Sequence, residues 1–279
     1  MEIEVLTRGT DTLGECPVWL AAERRLMRVD ITGRAIVTRD GATESRQAVG
    51  EPVGFALPAG RGLVAGIGRR VLLLPQDRVL ATVERGDRFN DAACDARGRL
   101  WAGTMSTARE PDAAALYRIT PEGEVSPACA ATISNGLDWD LDATRLYYVD
   151  STTQRVDAFD FDVDRGRLGR RRTFAAIDAR DGLPDGLTVD AEGGVWVALF
   201  GGRAIRRYRA DGRLDVEVAL PVTNPTSMAF GGPELTDLYI TSAKHRLSAA
   251  QLAREPLAGS LLRVRPGVRG RLPHRFGDG

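Results

Sequence analysis

The sequence predicts an all-β fold: a six-bladed β-propeller with four-stranded blades and a central metal site. One segment type returns six times, with a Pro or Asn beside a small polar or acidic residue, then an apolar strand, a charged turn and a second strand. Its markers Pro17, Pro52, Asn90, Asn135, Asp185 and Pro225 stand 35, 38, 45, 50 and 40 residues apart, which is the period of a propeller blade. Six such units use up the 279 residues. One propeller domain over 1–279 is therefore expected, although the length alone could hold two domains.

The first repeat opens at Glu15-Cys-Pro-Val-Trp19 and the second at Glu51-Pro-Val-Gly-Phe55. The second continues through Leu63–Ile67 and Val71–Leu74, apolar runs of strand length. The third opens at Phe89-Asn-Asp-Ala-Ala93, the fourth at Ser134-Asn-Gly-Leu-Asp138 with its strand Leu146–Val149, and the fifth at Pro184-Asp-Gly-Leu-Thr188 with Val195–Leu199. The sixth opens at Pro225-Thr-Ser-Met-Ala229. Hairpin tips are marked by Asp95–Gly98, Glu122-Gly123, Asp190–Gly194 and Asp211-Gly212, where glycine accepts the positive φ of a tight turn. Trp19, Trp101, Trp139 and Trp196 recur at strand positions and read as blade packing rather than as a platform for sugar.

Three stretches break the rhythm: 106–115, 176–183 and 244–258, the last helix-compatible through Ser248–Arg254. Insertions in repeat folds gather on one face, commonly the ligand face, so the first two are expected at the mouth of the central channel. The short segment Ile3–Leu6 is expected to complete the last blade beside Leu261–Val264.

With 38 basic and 38 acidic residues the chain is neutral overall, so no global field draws it to nucleic acid or to a membrane. A small neutral or weakly acidic ligand fits better. Arg170–Arg172 is the one short basic run and reads as a solvated turn. Cys16, Cys94 and Cys129 lack CxxC spacing, so neither a disulfide framework nor a cysteine zinc site is indicated, and a reducing compartment is expected. No secretory pattern opens the chain, and no apolar run approaches the ~18 residues of a membrane helix. A cytoplasmic protein, monomeric or weakly dimeric, is expected. His245 and His274 are the only histidines and read as surface residues, while Gly201-Gly202 and Gly231-Gly232 are turns rather than phosphate loops.

Polar residues at one phase of the repeat carry the chemistry. Glu15, the pair Asn90-Asp91, Asn135 and Asp185 stand where other repeats place small or structural residues. Rotation about a propeller axis brings equivalent positions together, so carboxylates and amides from separate blades can converge on an all-oxygen cage for a divalent cation. Two close carboxylates without a cation are unfavourable through repulsion and desolvation. Taken singly, Asn135-Gly136 and Asp185-Gly186 also read as turn dipeptides, and Asn and Asp side chains also cap loops.

At these residues the chain resembles the regucalcin/gluconolactonase family, also called the senescence marker protein family, over nearly its whole length. The carriers are Leu13-Gly-Glu-Cys-Pro-Val-Trp19, Arg88-Phe-Asn-Asp91, Asp95-Ala-Arg-Gly-Arg-Leu-Trp-Ala-Gly-Thr-Met105 and Ile133-Ser-Asn-Gly-Leu-Asp-Trp139. Further matches are Tyr147-Tyr-Val-Asp-Ser151, Leu183-Pro-Asp-Gly-Leu187 and Leu238-Tyr-Ile-Thr-Ser242.

The resemblance implies a six-bladed propeller lactonase that opens sugar aldonolactones to sugar acids. It implies one divalent cation (Ca, Mn, Zn, Mg or Fe) held by Glu15, Asn135 and Asp185, with Arg88 and Asn90 contacting the substrate. The cation would polarise the ester carbonyl, with the attacking water activated either by Asp185 as base or by the cation, which acidifies it. A substrate-contacting Glu of the better-known relatives is missing near Ala108, where Glu110 is the nearest substitute. An organophosphate or aryl-ester hydrolase with the same site, and a non-catalytic calcium-binding propeller, are the alternative readings.

Overall fold

The computed structural model describes residues 1–60 and 62–278. Six four-stranded antiparallel sheets follow one another around a central axis, and the inner strands of neighbouring sheets pack side by side in a closed ring. Those inner strands are Gly14–Leu20, Val53–Ala59, Arg88–Cys94, Ser134–Trp139, Leu183–Val189 and Pro225–Gly231. Each repeat opening in the sequence is thus the innermost strand of one blade. The ring closes as expected: Ile3–Thr7 pairs antiparallel with Leu261–Val264 and forms the outer strand of the sixth blade. The two ends of the fold are tied into one sheet, which closes the ring of blades.

Burial grades outward along every blade. The second strands Leu100–Met105 and Asp237–Ser242 are buried at all positions, while the outer strand Thr43–Ala48 is mostly exposed. Apolar side chains of adjacent blades fill the space between sheets, as where Val29, Phe55, Val64 and Phe89 pack together. Trp101, Trp139 and Phe161 interlock edge to face or tilted at centroid distances of 5.4–6.2 Å, and Trp196 meets Phe230 at 6.3 Å. The packing reading of these tryptophans holds.

The turn signals work through their aspartates. Asp95 Oδ1 accepts from Arg97 N and Arg99 N, while Oδ2 accepts from Trp101 Nε1 at 2.8 Å. Asp190 repeats this with Glu192 N, Gly194 N and, at 2.9 Å, Trp196 Nε1. One carboxylate therefore closes the hairpin and anchors the core indole, an Asx arrangement that a loop-forming Asp is suited to. The α-helix Ala249–Arg254 has Ser248 as N-cap in a capping box with Gln251.

Two sequence readings are corrected. Arg170–Arg172 is no turn: it lies in the outer strand Arg167–Ala176 of the fourth blade, where Arg171 pairs with Asp157 and Arg172 with Asp160. Nor are Asn135-Gly136 and Asp185-Gly186 turns, because both lie inside inner strands. Glycine is needed there for close approach. A Cβ on Gly136 would stand 2.2 Å from Leu187 N, and one on Gly186 would stand 2.3 Å from Ser227 Oγ.

A candidate cation centre at one mouth of the tunnel

All six inner strands break their pairing register at the same phase, at Glu15/Val18, Val53/Phe55, Phe89/Asp91, Ser134/Leu137, Pro184/Leu187 and Pro225/Met228. An irregularity of this kind re-aims a side chain out of the alternating pattern. It places Glu15, Asn90, Asn135 and Asp185, with Arg88, around one cavity of about 80 Å³. The other two blades supply no donor: Gly54 has no side chain, and Thr226 turns its hydroxyl to Gly14 O.

Glu15, Asn90, Asn135 and Asp185 are at most 6% exposed. Glu15 Oε2 accepts only from Cys16 N, at 3.3 Å. Burial pushes the Glu15 carboxyl well above the usual carboxylate range, and Asp185 and Asp91 push the same way. Burial and Asp91 raise Asp185 likewise, with the Asn135 amide and Arg88 partly offsetting them. Asp91, one residue beyond Asn90, is pushed up by burial to about 7. Glu15 and Asp185 thus share the cavity with one counter-charge, Arg88, itself pulled down by burial to about 10, while Asp91 acts on both from outside it.

Asn135 Nδ2 donates to Ser151 Oγ at 3.0 Å, while its Oδ1 is buried without a partner. An unpaired buried acceptor costs about 1–3 kcal/mol unless a ligand satisfies it. Two under-neutralised carboxylates and an orphaned amide oxygen are a hard, oxygen-only donor set, which fits Ca²⁺, Mg²⁺ or Mn²⁺. Among the described residues no group of three or more His, Cys, Asp or Glu is placed to hold a metal. The oxygens gathered here are a mixed set, two carboxyls and one unpartnered amide oxygen.

Arg88 Nη1 donates to Phe89 O at 2.8 Å and to Asn90 Oδ1 at 2.9 Å, and Asn90 Nδ2 donates to Ser134 O at 3.0 Å. Asn90 therefore holds the guanidinium in place. Residues missed by the sequence reading come from the inserted loops: Arg109, Leu183, His245 and Arg246 line the same cavity. All three insertions reach the mouth, not only the first two. Glu110 is exposed and does not line the cavity; its neighbour Arg109 does. His245 is a surface residue as expected, but it sits on the rim, and partial burial with Arg88 and Arg109 lowers its pKa.

A larger cavity of about 310 Å³ opens at the other end of the inner strands, lined by Trp19, Asp91, Trp139 and the tail segment 271–274. It lacks the convergent amides and Arg88. Among the described residues, no helix is long and apolar enough to cross a membrane.

Residues 13–244 match the family described as SMP-30/Gluconolactonase/LRE-like region. Regucalcin of Xenopus laevis is 37% identical over 294 aligned positions that cover 99% of this chain and 98% of that protein. A luciferin-regenerating enzyme superimposes with a TM-score of 0.92 at 29% identity, covering 99% of both chains. A calcium-binding protein, regucalcin from Agrobacterium tumefaciens, gives 0.92 at 26% identity, covering 98% of this chain and 96% of its own. With a match that spans most of its length and a relative of this similarity end to end, the chain belongs to the SMP-30/gluconolactonase/LRE-like family of propellers.

Proposed function

We propose that the protein is a divalent-cation-dependent lactonase that hydrolyses sugar aldonolactones to the corresponding sugar acids. The observation that carries this reading is the convergence of Glu15, Asn135, Asp185, Asn90 and Arg88 on one small cavity at a tunnel mouth. Family membership supports it, since gluconolactonases are part of the family's name.

Glu15, Asn135 and Asp185 would hold the ion, Asn135 through its unpartnered Oδ1. A bound divalent cation supplies Lewis-acid polarisation of the ester carbonyl. Arg88 keeps N–H groups beyond the one committed to Asn90 and Phe89, and its planar fork suits ring and hydroxyl oxygens of a sugar. Asn90 acts by fixing Arg88. Asp185, as a carboxylate, accepts a proton from the water that attacks the carbonyl carbon and passes it to the ring oxygen as the acyl–oxygen bond breaks. Burial around the site excludes bulk water, which strengthens each of these polar contacts.

The test is a panel of five- and six-membered aldonolactones offered to metal-stripped protein with Ca²⁺, Mn²⁺, Zn²⁺, Mg²⁺ or Fe²⁺ added singly. Turnover should appear only with a cation, and Asp185→Asn should lower kcat by about 10²-fold or more while leaving the fold intact. Raised melting temperature with Ca²⁺ but no turnover of any lactone would instead make this a cation-fastened propeller without catalysis. Turnover of aryl esters or organophosphates alone would move the same site to another ester class. In the cell we place the protein in the cytoplasm as a monomer or weak dimer acting on a small molecule, with no nucleic-acid or membrane partner.

A further inference from the structure

We propose that the lactone taken by this site is anionic: its chain carries, away from the ester, a second ionised acid group that Arg109 and Arg246 receive. The inference rests on the lactonase reading and narrows its substrate class.

The cavity is small, about 80 Å³, and its carboxyls are buried while Arg109 and Arg246 are exposed, so an ester held at the carboxyls directs the rest of a sugar lactone outward. The far end of the molecule must then lie at the rim. Three arginines line cavity and rim, Arg88, Arg109 and Arg246, and among the described residues none of them is in an ion pair. Some exposed arginines, such as Arg97, Arg165 and Arg213, are paired with Asp164, Asp162 and Asp211, and others stand alone on the surface; what sets these three apart is that they gather around one cavity.

Among the described residues no acid pairs directly with Arg109 or Arg246, and Asp87 acts on Arg88 only at a distance. The Asp87 carboxylate accepts from Thr107 N and the Thr107 hydroxyl, which lower its pKa, with Arg69 and Arg88 adding to the effect. Asp178 and Asp181, in the neighbouring insertion, are paired with Arg180 and Arg206. Glu110 stands outside the cavity. The two cavity-lining carboxylates, Glu15 and Asp185, are the ones assigned to the divalent cation, whose two charges they balance. Three guanidiniums then surround the opening; burial lowers the pKa of the adjacent His245, and Arg88 and Arg109 add to that effect. Lys244, beside His245, is turned away, its Nζ donating to Gly9 O.

Guanidinium forks match carboxylate and phosphate oxygens in paired hydrogen bonds, and such contacts are stronger than neutral ones. The shared chemistry of the ligand is a terminal oxyanion, and two sources provide it: the carboxylate of a diacid lactone, or a phosphate ester on the sugar chain.

The experiment uses the cation-loaded protein and three five-membered sugar lactones of the same ring configuration, ending in a hydroxymethyl, a carboxylate or a phosphate group. At least one anionic lactone should exceed the neutral one in kcat/KM by about tenfold, mainly through KM. That ratio should fall in Arg109→Gln and in Arg246→Gln, and with added salt. Glutamine is chosen because both positions have positive φ, 58° at Arg109 and 65° at Arg246, and glutamine changes charge without changing backbone demand by much. Whichever anionic arm wins names the source.

Equal or better turnover of the neutral lactone, or a ratio unmoved in both variants, overturns the inference and leaves the lactonase reading standing. If no lactone is hydrolysed, the lactonase reading fails, and calorimetry decides the anion site by itself. At a fixed free Ca²⁺ concentration, the open-chain diacid must bind more tightly than the open-chain monoacid and lose that advantage in Arg109→Gln. Equal affinities end the proposal.

Discussion

Two groups of buried charge stand on paired strands of the first blade, and they are built in opposite ways. Around Arg28, which is fully buried, Asp11 and Glu44 take up the guanidinium, with Arg28 Nε 2.6 Å from Asp11 Oδ2 and Nη1 2.7 Å from Glu44 Oε1. Arg46 then bridges Asp11 and Asp30, whose Oδ1 also accepts from Leu13 N and Gly33 N at 3.0 Å. On the facing strand Glu15, opposite Val29, has one weak backbone contact and two like charges for company. The first cluster saturates every carboxylate and so fixes the segment that leads into the inner strand. The second leaves its oxygens short of partners. Saturation marks a structural cluster, and unsatisfied buried oxygens mark a site that awaits a ligand.

The sharpest way to break this contrast is Arg28→Met. It keeps the apolar stem of the side chain but takes the guanidinium from Asp11 and Glu44, and removal of one partner from a buried pair costs about 3–5 kcal/mol. Denaturant unfolding should show a loss of that size, with substrate specificity unchanged in whatever protein remains folded. A loss under about 1 kcal/mol would mean that Arg46 alone can hold the cluster, and the two regions would differ less than their geometry says.

The pH dependence of the metal-free chain tests the other half. In an unfolded chain a carboxyl ionises near pH 4, whereas folded Asp91 keeps its proton to about 7, and Glu15 and Asp185 are shifted in the same direction. Between those values the folded state binds more protons than the unfolded one, so stability should fall as pH rises, by up to about 1.4 kcal/mol per pH unit for each such group. Melting curves from pH 4 to pH 8 should therefore slope downward without metal and flatten when a divalent cation is present. A metal-free stability that climbs across this window would show that these carboxyls are better neutralised than their surroundings indicate.

The contrast also explains what was legible in the sequence. Glu15, Asn90, Asn135 and Asp185 could be found because a repeat places equivalent residues by rotation, so phase alone brings them to one axis. Blade number, ring closure by Ile3–Thr7 and the aspartate turns followed from the same periodicity. Arg109 and Arg246 lie in insertions, which have no phase, and only the folded loops put them at the mouth. The Arg28 cluster draws on Asp11, Asp30, Glu44 and Arg46, ordinary charged residues whose pairing depends on cross-strand distances. Asn135-Gly136 resembled a turn because the dipeptide is the same; here glycine serves the close approach of two inner strands rather than a positive φ. Arg170–Arg172 misled for a related reason, since an outer strand exposed along most of its length carries no apolar alternation to reveal it.

The smallest effect is the most discriminating, because its sign differs between the two clusters. Glu15→Gln removes one of three crowded carboxyls but keeps the shape and an amide oxygen. In metal-free protein at pH 8 it should raise stability by about 1 kcal/mol, the scale of one pKa unit, or about 2 °C in Tm for a chain of this size. The same exchange at Glu44, which would strand part of Arg28, should lower stability. With a divalent cation in excess the gain at Glu15 should vanish or reverse, since the variant has lost a charge that the ion needs. A carboxylate whose removal stabilises the empty protein and weakens the loaded one is retained for the ion and not for the fold, and calorimetric scans with and without cation measure both halves of that statement on one variant.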